Sequence, residues 1–252
     1  GVGCSTLAVG NDTLWKGDPS TPGDWFEVAN WSQGVPTTGL FSNAVVNNGG
    51  TVLIEEGVAM CDDVTLYGGA NTVIQTGGEL RLADGRSHLI LGTGSLVPGS
   101  PRYELTAGSV NLPLGDLLIR DGYESVFLQN GGSCTVGDEL VVGSSGDIAG
   151  AYARYEINDG DLHAGSLWMG QDGGLGRFVQ TGGVVTVAGT VQLGDYLDRS
   201  HGVYEISGGE LNASSLQFGN KGTGLFDQSG GDVAVDHLNV PATDTYVMSA
   251  GS

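Results

Sequence analysis

Phe178-Val-Gln-Thr-Gly-Gly183-Val-Val185-Thr-Val187-Ala-Gly-Thr-Val191-Gln-Leu-Gly194 places an aromatic ring, a Gly-Gly pair and two short alternating apolar segments within seventeen residues. Apolar side chains at every second position mark a strand with one buried face. The Gly-Gly pair marks a corner, because glycine accepts positive φ and lets backbones approach closely. The same order recurs on both sides. Tyr103-Glu-Leu-Thr-Ala-Gly108, Phe127-Leu-Gln-Asn-Gly-Gly132, Tyr155-Glu-Ile-Asn-Asp-Gly160, Tyr204-Glu-Ile-Ser-Gly-Gly209 and Phe226-Asp-Gln-Ser-Gly-Gly231 each set a ring five residues before a glycine. Val73-Ile-Gln-Thr-Gly-Gly78 is an earlier copy with Val in the ring position. Tyr-Glu-Ile/Leu copies alternate with Phe-x-Gln copies, and the closing glycines are separated by 30, 24, 28, 23, 26 and 22 residues.

After each glycine comes a second alternating segment, such as Leu80 and Leu82 or Leu211 and Ala213. A third follows and usually ends in Gly: Leu89-Ile-Leu-Gly92, Leu140-Val-Val-Gly143, Leu167-Trp-Met-Gly170, Leu216-Gln-Phe-Gly219. No segment holds a 3.6-residue apolar period. Three short strands per repeat, turned by glycine, predict an all-β fold: a single-stranded parallel β-helix, or β-solenoid, of about eight to nine coils. The solenoid repeats are expected over residues 41–252. Residues 1–40 are expected to form an N-terminal strand and a Trp-rich cap, with Trp15, Trp25 and Trp31 as its small core rather than a sugar-stacking shelf.

Composition narrows the function. The 252 residues include 46 glycines, 29 acids and only nine Lys plus Arg, for a net charge of -20. Such a chain repels phosphate backbones and anionic membrane surfaces, which argues against nucleic-acid binding. No apolar run approaches the roughly 18–20 residues that span a bilayer, so no membrane insertion is expected.

The pattern L-x-x-G…G-x-F-x-Q-T-G-G-x-[VL]-x-V resembles the repeats of bacterial secreted and cell-surface β-solenoid proteins, of the autotransporter-passenger and exosortase-sorted kinds. Trp15-Lys-Gly…Trp25…Asn30-Trp31-Ser-Gln-Gly-Val-Pro36 resembles their opening. The resemblance covers most of the chain. It implies a β-helical protein that is secreted, extracellular or at the cell surface, and it implies no single activity.

The two ends suggest self-assembly. Tyr246-Val-Met248-Ser-Ala-Gly251-Ser252 is a further tyrosine copy in the correct alternating place. Gly1-Val-Gly3-Cys4-Ser-Thr-Leu7-Ala-Val9-Gly10 aligns with Glu210-Leu-Asn-Ala213-Ser-Ser-Leu216-Gln-Phe218-Gly219, so it reads as the continuation of that coil. An open strand edge templates further pairing, and a head-to-tail contact that does not close makes a filament. The expected interface is therefore Gly3, Cys4, Leu7 and Val9 of one copy against Tyr246, Met248, Gly251 and Ser252 of another. The competing reading makes Ser252 a cleavage boundary, with a removed domain once covering the edge. Gly1 is read as following a removed leader or a truncation.

The middle residues of the third strands, Ile90, Leu118, Val141 and Trp168, should point outward as an apolar stripe. That stripe is read as a lateral contact between rods, as a glycan shelf around Trp168, or as a surface covered by the N-terminal segment or a loop. Gln75, Gln129, Gln180 and Gln228 recur at one inward position and should bond corner backbone. Glu55, Glu56, Asp62, Asp63, Asp121, Asp147, Asp172, Asp195 and Asp198 offer oxygen ligands of the kind calcium takes. No nonapeptide or helix-loop-helix calcium motif accompanies them, so a solvated acidic surface is the simpler reading. No cofactor is expected beyond, at most, weakly held Ca2+. Cys134 reads as a core thiol, and Cys4 and Cys61 as a candidate disulfide.

A polysaccharide lyase or hydrolase needs clustered carboxylates or a positioned base. The arginines and lysines are scattered, and His88, His163, His201 and His237 share no position that suggests a metal. A non-catalytic protein is expected: a filament or surface-layer subunit whose partners are copies of itself. The alternative is a monomeric adhesin or glycan-binding β-helix with polysaccharide as its partner.

Overall fold

The computed structural model describes residues 12–39, 43–83, 85, 87–92, 99–120, 124–144, 152–195, 197–219, 221–241 and 244–250. Within them the chain is almost entirely strand, and the single helix is a 3-10 turn at Val28–Asn30. Every strand pairing is parallel. The protein is a β-solenoid, with each coil laying one strand on each of three ladders.

The first ladder runs from Gly23–Asp24 and Thr51–Ile54 through Thr72–Gln75 and Arg102–Leu105 to Thr223–Gln228 and Thr245–Met248. The second begins at Val58–Cys61 and ends at residues 232–235. The third begins at Asp12–Leu14 and ends at residues 237–239. Eight coils carry all three strands; the first and third ladders extend further at the N-terminal end, where no second-ladder strand is described. In two coils the corners are so slight that the chain remains one bent strand, Ser125–Ser144 and Ala153–Gln171, with register shifts at the bends.

One column of rings runs through the core. Tyr103, Phe127, Tyr155, Phe178, Tyr204, Phe226 and Tyr246 are paired rung by rung. They stack nearly parallel, with centroids 4.7 to 5.0 Å apart. That spacing is the inter-strand distance itself, so the backbone ladder imposes the stack.

The alternation of Tyr and Phe copies has a hydrogen-bond cause. Each tyrosine hydroxyl donates to the glutamine of the preceding coil: Tyr103 to Gln75 at 2.6 Å, Tyr155 to Gln129 at 2.6 Å, Tyr204 to Gln180 at 2.7 Å and Tyr246 to Gln228 at 3.0 Å. The amide nitrogens donate to carbonyls at the glycine corners, as Gln129 does to Gly132 and Asp161. A buried phenol and a buried amide thus satisfy each other, as buried polar groups must. Sequence reading assigned the glutamines to the corner backbone but did not find their tyrosine partners.

The closing glycines stack as well. Gly183 has φ +69°, and a Cβ there would lie 2.5 Å from the Gly160 carbonyl oxygen of the coil below. Glu210 N–H donates to Gly183 O across the next corner. Only glycine permits both the left-handed backbone and that approach.

Candidate assembly surface

Three tryptophans pack together beside the first described coils. Trp15, Trp25 and Trp31 are all 2% exposed or less and pack edge-to-face at 5.0 Å. Trp31 Nε1 donates to the Trp25 carbonyl at 2.7 Å. Gly17, Gly23 and Gly50 leave the space the Trp15 indole fills, since a Cβ at any of them would lie 3.0 Å or less from it. This tryptophan cluster is a cap core and not an open shelf for sugar.

The last described coil exposes apolar positions. In the last described coil the inward positions Val233, Val235 and Tyr246 are only partly buried, while Leu238 is 52% and Met248 60% exposed. The equivalent residues one coil earlier, Leu211, Leu216 and Phe226, are fully buried. Among the described residues, eight of the eleven exposed large apolar side chains lie before residue 61 or after residue 237. The middle of the rod is therefore comparatively clean, and the apolar exposure sits at its ends.

Of the residues expected to join two copies, Tyr246 and Met248 lie on Thr245–Met248, the last rung of the first ladder. Gly3, Cys4, Leu7, Val9, Gly251 and Ser252 fall outside the described residues. Thr13 pairs with Ala44, which places Asp12–Leu14 on the third ladder, in the slot occupied by Leu216 further along.

The stripe on the outer face of the third ladder also differs from expectation. Ile90, Leu118, Val141 and Trp168 do line up in register. They are not an open patch, because Val141 is 1% exposed and the other three are partly buried. The Trp168 indole N–H is buried without a hydrogen-bond partner among the described residues.

Of the two cysteines of the candidate disulfide, Cys4 falls outside the described residues and Cys61 is fully buried in the second ladder. Its neighbour across the ladder is Leu82, so its slot is an apolar core position. Cys134 is also a buried free thiol. Burial drives both thiols up, Cys134 to about 12.

Among the acids, Glu55 and Glu56 join Asp24, Phe26 and Gly57 around an open depression of about 670 Å3. Asp195 is nearly buried and accepts from the Asp172 backbone N–H, and Asp121 and Asp147 fall outside the described residues. Among the described residues no three His, Cys, Asp or Glu side chains are grouped so as to hold a metal ion. No described helix is long and apolar enough to cross a membrane. No protein family, curated protein or solved structure matches this chain.

Proposed function

We propose that the protein is an exported, non-catalytic structural subunit that assembles head to tail, each copy covering the open coil of the one before. The observation that supports this reading is the apolar exposure of the last described coil, where Leu238 and Met248 are more than half exposed and Val233 and Val235 only partly buried. In this reading Leu7 and Val9 of the next copy add apolar side chains to the joint, and its Asp12–Leu14 belongs to the third ladder. Seated on residues 232–235 and 237–239, these two segments complete the coil that Thr245–Met248 begins. The joint is then backbone pairing plus apolar burial, the same interactions that hold successive coils together.

Sedimentation velocity across a concentration series tests this, using the chain itself and Leu238→Lys and Met248→Lys variants. Both side chains are more than half exposed, so the variants should fold as the parent does. The parent should grow into long species and the variants should remain monomeric. Growth of the variants equal to that of the parent would remove the open coil from the joint.

A further inference from the structure

The residue just before each inward pair of the third ladder is Asp12, Asn43, Asp63, His88, Asp116 and Glu139 on successive coils. Four of the six are carboxylates, stacked about 4.8 Å per coil, and His88 is the member able to carry positive charge. Its Nδ1 lies 3.3 Å from Asp63 Oδ1 and its Nε2 lies 3.4 Å from Asp116 Oδ2. Asp63 Oδ1 also accepts from the His88 backbone N–H at 2.7 Å, and Asp116 Oδ1 accepts from the Glu139 N–H at 3.0 Å. Both carboxylates are therefore fixed in place from the backbone. A neutral imidazole donates from one nitrogen and turns a lone pair on the other, whereas an imidazolium donates from both.

We propose that His88 is a pH-operated staple, which as imidazolium ties three successive coils together through Asp63 and Asp116. Loss of one ring proton breaks one tie and sets a lone pair against a carboxylate. The groups facing the ring are Asp63 from the coil before and Asp116 and Arg120 from the coil after. The hydrogen bond to Asp63 raises the proton affinity of His88, against half-burial and Arg120, and the charges of Asp63 and Asp116 raise it further. Because the folded value is raised, the staple is fully present below the ordinary imidazole value and is lost as pH rises through the folded one.

An NMR titration of His88 in the full chain tests this directly. Its midpoint should lie above about 6.5, the ordinary imidazole value, and should fall in Asp63→Asn and in Asp116→Asn. Between about pH 6 and pH 8.5, amide protection in Asp63–Leu66, His88–Leu91 and Asp116–Ile119 should drop at least about threefold beyond intrinsic exchange. His88→Gln should abolish that dependence. A midpoint at or below the ordinary value, or one that neither Asn variant moves, would overturn the staple. So would an equal loss of protection in His88→Gln. If the variants fail to fold, the midpoint of the unaltered chain alone decides.

Discussion

Tyr155 and Gln129 show why the repeat is two coils long and not one. A phenol inside the stack requires an acceptor, and the acceptor requires corner carbonyls for its own amide. Removing only the hydroxyl, in Tyr155→Phe, leaves Gln129 Oε1 buried and unpaired. Urea unfolding should show a loss of about 1–3 kcal/mol, the usual penalty for a buried unsatisfied group. Phe178→Tyr should also destabilise, because the side chain at the glutamine position of the preceding coil is Ile157, which accepts nothing. At the corners, Gly183→Ala forces a left-handed alanine against the Gly160 carbonyl. It should cost at least about 1–3 kcal/mol from the backbone conformation alone, and thermal melts would show it.

At the scale of strands and ladders, alternation decides which side chains are reachable. Cys61 and Cys134 occupy inward slots of the second ladder, where burial suppresses the thiolate. Under native conditions at pH 8, mass spectrometry after maleimide treatment should find both unmodified, and both should react once the chain is unfolded. The strands, their alternation and the glycine corners could be read from sequence, because period two and a fixed ring-to-glycine spacing are local properties. What escaped was whatever depends on which coil lies next to which. The Tyr155–Gln129 bond joins residues 26 apart. The placement of Asp12–Leu14 on the third ladder likewise depends on pairing with Asn43–Val46, and no local pattern around Leu7 and Val9 announces it.

At the scale of the molecule, three tryptophans form a buried cluster beside the first described coils, and the last described coil exposes apolar inward positions. Joining the ends brings together copies that each carry a net charge of -20, so like-charge repulsion opposes assembly. Light scattering should show faster growth as salt rises from about 20 mM to about 300 mM, because the screening length falls from roughly 20 Å to well under 10 Å. The geometry of the polymer follows from the rung count. Among the described residues the first and third ladders each hold ten rungs, so each added copy of the proposed assembly would advance the rod by about 48 Å at about 4.8 Å per rung. Cryo-electron microscopy of the assembled protein measures that advance. Unbranched filaments with an axial subunit repeat near this value and continuous strand density across the joint are the predicted result. Monomers at every concentration, or filaments whose copies meet side by side, would contradict head-to-tail completion of the open coil.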